Sequence, residues 1–179
     1  MAEFELPERP EHTIEEDPLI LPVSVTISTL AVLVALVTMM GHRAANEQIL
    51  AQAKASDLWN EYQAKNIRMH EMEGYVDLFH GLAPSDKEEN EGLAQKYEKQ
   101  AAKYEADKEE LRNEAKKLEA ERDVFGKKEN RFDAGEALLE IGLVICSLTL
   151  LTKKKLFWFS GIGVAGIGVA IAVWAYVLH

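Results

Sequence analysis

Cysteine, proline and positive charge are all scarce in this 179-residue chain, and each scarcity removes possibilities. A single cysteine, Cys146, rules out an intrachain disulfide and leaves the redox compartment unreadable. Four of the five prolines precede position 23 and the fifth is Pro84, so the stretches 42–83 and 85–131 lack the residue that most readily breaks a helix. Lys and Arg number 20 against 30 Asp and Glu, a formal net charge of −10. No basic surface of the kind that neutralises phosphates is on offer, so nucleic acid is not expected as a partner.

Catalytic groupings are missing as well. His70-Glu71 opens like a zinc-protease motif, but Gly74 stands where the second histidine belongs. His80 follows ten residues after His70, too far along a helix for both to hold one metal. Gly161, Gly163 and Gly166 match G-x-G-x-x-G, yet they lie in an apolar run with neither the preceding strand nor the acidic partner that dinucleotide binding requires. Cys146 has no histidine or basic neighbour in its segment and reads as a small apolar residue. No catalytic, cofactor or metal site is expected, and the chain reads as non-enzymatic.

Apolar length is what the chain has in abundance. Leu19 to Gly41, Ala134 to Thr152 and Leu156 to Leu178 are each near the ~20 residues that an α-helix needs to cross a bilayer. The segments 19–41, 134–152 and 156–178 are therefore expected as transmembrane helices 1, 2 and 3, with the lipid bilayer as the first partner. The tail 1–18 is acidic, with Glu3, Glu5, Glu8, Glu11, Glu15, Glu16 and Asp17 against Arg9. A secretory signal carries a basic flank at that place, so the first run is expected as an uncleaved anchor. Pro22 suits a helix's first turn, and Ser24, Thr26, Ser28, Thr29 and Thr38 can return hydrogen bonds to carbonyls one turn back.

In the third run, Phe157, Trp158 and Phe159 at one end and Trp174 and Tyr176 at the other fit two interfacial aromatic belts. The unit Gly161 to Ala165 repeats as Gly166 to Ala170, and Gly161, Ala165, Gly168 and Ala172 recur three or four apart, a spacing that lets another helix approach closely. In the second run Glu136 and Glu140 share a face. Both sit in its first two turns, where an interfacial position accounts for them; Glu140 is also the candidate for an ion contact. Lys153, Lys154 and Lys155 between the last two runs favour a cytoplasmic turn, which places the N-terminus in the cytoplasm and the charged domain in the periplasm. Arg43, Arg122, Lys127, Lys128 and Arg131 pull the other way, but long loops are exported largely regardless of charge.

Residues 42–133 read as a helical hairpin. Ala51, Ala55, Leu58, Tyr62, Met69, Met72, Val76 and Phe79 follow steps of four and three, broken by Lys65. Tyr97, Tyr104, Leu111, Leu118 and Phe125 form a second seam with Ala94, Ala101 and Ala115, interrupted by Lys108 and Arg122. The turn 81–85 is marked by Gly81 and Pro84, and Ser85-Asp86-Lys87-Glu88 is a capping box. Either arm is free to run unbroken into its membrane helix, with Gly41 and Gly126 as the expected bends. Two helices bury little, so the seam residues are also expected to associate with a further chain, as a homo-oligomer or as a subunit of a larger membrane complex.

The stretch Gly41-His42-Arg43-Ala44-Ala45-Asn46-Glu47 and, more specifically, Ala55-Ser56-Asp57-Leu58-Trp59-Asn60-Glu61-Tyr62-Gln63-Ala64-Lys65 resemble a bacterial family of small three-helix membrane proteins classed as a domain of unknown function. The closing arrangement, Arg131-Phe132 before the second run and a basic turn followed by aromatics, is similar too. The resemblance implies a bacterial source, a shared architecture and no particular activity; the expected location is the bacterial inner membrane. Trp59, off the seam, is a candidate partner contact. The expected fold is all-α: three transmembrane helices and an extramembrane antiparallel coiled-coil hairpin. The expected role is a scaffold or accessory subunit, the alternative a small channel or transport component with Glu140 near its pathway.

Overall fold

The computed structural model describes residues 18–81 and 87–177. Those residues form three helices and no strand: α1 (Ile20–Gly81), α2 (Lys87–Thr152) and α3 (Lys155–Val177). The acidic tail, the turn after Gly81, the first half of the capping box and the last two residues lie outside the described residues. Pro22 sits in the first turn of α1, where its missing N–H breaks no bond, and the proline-free stretches that follow let α1 and α2 run for 62 and 66 residues. At 1.5 Å per residue each is roughly 90–100 Å long if straight. Glu88 and Glu89 in the first turn of α2 complement its dipole.

The helices α1 and α2 pack antiparallel along their length. Tyr75 meets Tyr97, Lys65 meets Asp107, Arg122 meets Gln52 and Thr38 meets Glu136, so position numbers fall on α1 as they rise on α2. Along this contact the buried residues are spaced by sevens. On α1, Val23, Leu30, Val37, Ala44 and Ala51 are all buried, and half-buried Leu58 continues the series. On α2, the half-buried Tyr97, Tyr104, Leu111, Leu118 and Phe125 lead without a change of phase into buried Phe132, Leu139 and Cys146.

The seam thus begins 28 residues before Ala51, where the polar positions first reveal it, because inside an apolar run every position is apolar and no periodicity shows. The compositional boundaries at 41/42 and 133/134 coincide with no break in either helix. Gly41 and Gly126, expected as bends, lie inside unbroken helix. A Cβ on Gly41 would stand 3.4 Å from the Phe132 Cβ, an ordinary contact, and one on Gly126 would stand 3.0 Å from the flexible end of Gln48, so both glycines lie at the helix contact and neither marks a bend.

The helix α2 lies between the other two, and α3 barely touches α1. The contact of α2 with α3 is built from small residues. Gly161, Ala165, Gly168 and Ala172 are buried against Gly135, Leu139, Gly142 and Cys146. The approach is reciprocal: a Cβ on Gly142 would meet the Gly161 carbonyl oxygen at 2.8 Å, and one on Gly161 would meet the Gly142 oxygen at 2.7 Å. Gly135 and Gly168 repeat the relation at 2.9 and 2.7 Å. Here the small-residue face of α3 is spent within the chain.

Between α2 and α3 only Lys153 and Lys154 are non-helical. Lys153 closes α2 with its N–H on the Thr149 carbonyl at 2.8 Å and adopts a φ of 53°. A left-handed residue ends a helix well, but without glycine it costs roughly 1–2 kcal/mol. The turn is held nonetheless by lysine.

Gly161→Ala or Gly142→Ala pushes a methyl into backbone of the facing helix and is expected to destabilise by about 1–3 kcal/mol. Gly163 and Gly166 face open space, so alanine there is expected to be neutral or mildly stabilising through helix propensity. Thermal unfolding of the four variants in one detergent separates these outcomes; equal behaviour would contradict the packing described.

Candidate functional site: the clamped hairpin and its junction with the apolar helices

The charged part of the helix pair is narrow, because its buried residues are mostly alanines: Ala44, Ala51, Ala55, Ala94, Ala101 and Ala115, with Met69 and, at the junction, Phe132 as the large apolar residues among them. Leu58, Tyr62, Tyr97, Tyr104, Leu111, Leu118 and Phe125 are half-buried along the same seam. All of these face the chain's own partner helix. At the tip, Tyr97 stacks on Phe79 with ring centres 5.7 Å apart.

Polar struts cross the seam at mid-length. Lys65 Nζ donates to Asp107 Oδ2 at 2.8 Å, and Glu61 stands 3.8 Å away on the same helix. That hydrogen bond holds the Lys65 ammonium above its ordinary pKa and the Asp107 carboxyl below its own, while partial desolvation opposes both shifts. One residue on, buried Lys108 donates to Glu105 at 2.6 Å and to Asn66 at 3.1 Å, and its ammonium lies 5.8 Å from the Tyr62 ring centre. The bond to Glu105 raises the Lys108 pKa. A buried, satisfied lysine in an apolar seam specifies register better than it stabilises, since a slip would leave its charge unpaired.

Trp59 belongs to the same group. Its Nε1 donates to Glu119 Oε1 across the seam at 3.0 Å, and its ring meets Tyr62 edge-on at 5.4 Å. Trp59, Tyr62 and Lys65 therefore reach α2 from one stretch of α1, each to a different partner. Spacing alone misses this role for Trp59: it flanks the seam, and a long side chain spans what its backbone position does not.

Within the apolar part, the two glutamates differ. Thr38 Oγ1 lies 2.6 Å from Glu136 Oε1 across the seam and 2.9 Å from the Val34 carbonyl oxygen of its own helix. Glu140 is exposed. Thr26 donates to the Pro22 carbonyl at 2.8 Å and accepts from Trp158 Nε1 at 3.2 Å, which ties α1 to α3 at the end opposite the hairpin.

At the other end of α3, where the charged arms begin, the three helices enclose a groove of about 620 Å³. Its walls are Met40, Ala44, Phe125, Phe132, Ala175 and Val177, with Tyr176 beside them, and its charged residues are Arg43, Lys128 and Glu47. Next to it the Arg131 guanidinium lies over the Trp174 ring at 4.3 Å. Among the described residues, no three His, Cys, Asp or Glu side chains come together as a metal-binding group. The arrangement is one of helix clamps and an amphiphilic groove.

A family model for a domain of unknown function, DUF4337, matches residues 20–178. The chain belongs to this family. No curated protein and no solved structure matches it. The match covers all three helices, so the DUF4337 unit is the whole clamped assembly and extends through both of its compositional halves.

The Lys65–Asp107 strut gives the DUF4337 hairpin a defined pH window. Asp107 is lowered from an ordinary value of 3.8, so its contribution is present above that pH and is lost as pH falls through the lower folded value. Lys65 is raised from 10.5, so its contribution is present below that pH and is lost as pH rises through the higher folded value. The stability difference between wild type and Asp107→Asn is expected to stay constant between about pH 5 and pH 9 and to shrink below about pH 3. Thermal unfolding across pH checks this; a difference that changes near neutrality would sink the assignment.

Proposed function

We propose that this DUF4337 protein is a non-enzymatic integral membrane protein of the bacterial inner membrane that projects a rigid coiled-coil hairpin. In this reading it acts as a self-associating scaffold or accessory subunit of a membrane assembly. The observation that carries it is the alignment of the apolar segments. Three helices are long and apolar enough to cross a membrane. Their apolar parts lie side by side, tied at one end by Trp158 and Thr26 and at the other by Arg131 and Trp174. Outward from that bundle point Val25, Val32, Leu36, Met39, Ile141, Val144, Leu151, Ile167 and Val173, all exposed. So much apolar surface is unfavourable in water and matched to hydrocarbon.

The heptad seam supports a coiled-coil hairpin continuous with two of the spanning helices. Glu140, exposed on α2, and the small-residue face of α3, taken up by α2, lend no support to a transport pathway between packed third helices.

Because the seam residues face inward, self-association needs another surface. Opposite the seam on α1, Asn46, Ala53, Asn60, Ile67 and Gly74 are seven apart, flanked by Ile49, Ser56, Gln63 and His70, and all nine are exposed. None carries a permanent charge, in a chain of net charge −10. Two copies of so acidic a protein can meet without like-charge contact along such a stripe, which supports a second copy of this chain as its occupant.

Mass measurement in mild detergent tests this reading. The wild type is expected as a multiple of 20.1 kDa, and Ile67→Glu as a single copy with unchanged helicity. A single-copy wild type, or a variant that still associates, would count against the scaffold.

The lysine turn favours a cytoplasmic N-terminus and an outward hairpin. With buried Cys146 as the native thiol, Gln95→Cys is expected to react with an impermeant thiol reagent in intact spheroplasts. Reaction only after lysis would reverse the orientation.

A further inference from the structure

The groove at the junction pairs two features that the scaffold reading does not use. Its floor is apolar, formed by Met40, Phe125, Phe132 and Val177, and its rim carries Arg43 and Lys128. Among the described residues neither cation is ion-paired; Lys128 has only the Phe125 ring, 5.9 Å from its ammonium. Glu47 also lines the groove, leaving two cations to one acid in the lining. Unpaired lysines are common on the exposed hairpin faces among the described residues; what sets Arg43 and Lys128 apart is that they border the same apolar floor.

Position adds to chemistry. Arg43 follows the last residue of the first apolar run by two positions, and Lys128 and Phe132 precede the second run. In the membrane reading, on which this inference rests, that level is where hydrocarbon gives way to headgroups. Arg131 over Trp174 and exposed Tyr176 sit at the same level, as interfacial anchors do.

From this combination we infer that the groove is a binding site for an anionic phospholipid. Its phosphate is held by Arg43 and Lys128, and an acyl chain lies along Met40, Phe132 and Val177. Arginine supplies a planar fork that matches phosphate oxygens, and lysine a mobile point charge beside it. A zwitterionic lipid brings its own ammonium to the rim and loses the net attraction. The occupant would brace α1, α2 and the end of α3 against one another where α1 and α3 otherwise barely touch.

The test uses the full chain in mild detergent, with native mass spectrometry after addition of phosphatidylglycerol or phosphatidylcholine. Wild type is expected to retain phosphatidylglycerol roughly thirtyfold better than phosphatidylcholine, the size of effect that two interfacial cations confer. Arg43→Gln with Lys128→Gln is expected to abolish that preference, whereas Lys116→Gln with Lys117→Gln, on the exposed hairpin, is expected to keep it. Excess inorganic phosphate is expected not to displace the lipid, because the acyl chain holds it as well. Equal retention of the two lipids, preference surviving in the Arg43/Lys128 double variant, or displacement by inorganic phosphate would each overturn the inference. Flotation with liposomes after alkaline extraction is run on the same proteins. Wild type and double variant that float alike without lipid preference would remove the headgroup site alone, whereas a wild type that does not float would remove the membrane reading together with it.

Discussion

A single seven-residue register governs the DUF4337 chain. From Val23 on α1 and through Cys146 on α2, the residues turned toward the partner helix keep one phase, although the surrounding composition changes from almost wholly apolar to almost wholly charged. In the charged arms most of the buried positions are alanine, so the two backbones run close there and the contact area per turn is small. Stability therefore comes from length and continuity, and an interruption anywhere would be felt along the whole pair.

The polar struts make sense against that narrow seam. A stripe of alanines tolerates slippage by a heptad, since one alanine resembles the next. Lys108 with Asn66 and Glu105, Lys65 with Asp107, and Trp59 with Glu119 are each mismatched by such a slip. At the other end the third helix acts as a splint. Its reciprocal glycine contacts with α2 fix depth, and Trp158 reaching Thr26 fixes rotation relative to α1. The hairpin is thus tied to the apolar bundle by covalent continuity of two helices, with no flexible joint between them among the described residues.

Much of this was legible in the residues, and the parts that were not share a cause. The three apolar runs, the long proline-free arms, the lysine turn and the small-residue spacing on α3 are compositional or periodic signals, and each has a counterpart in the structure. The seam inside the apolar runs was invisible because pattern needs contrast. The partner of the small face could not be named because Gly135, Gly142 and Cys146 on α2 are spaced by seven and four, a weaker signal than the five-residue repeat opposite them. Trp59 lies off the seam and reads as an anchor or a contact of unnamed partner; its reach across to Glu119 depends on side-chain length and rotamer, which no periodicity encodes. Of the two glutamates, Glu140 drew attention as the deeper one, while it is Glu136 that lies against Thr38, because register across the seam decides which acid meets a hydroxyl.

The central claim is that the charged arms and the apolar helices are one mechanical unit, and the place where it is most exposed to failure is the junction at residues 38–48 and 126–136. Amide hydrogen exchange on the protein in lipid nanodiscs tests it most directly, since exchange reports local opening residue by residue. Protection through Gly41 and Gly126 as strong as in the heptads on either side is the expected result. Fast exchange confined to those two segments would show a hinge between two independent domains, and would contradict the account.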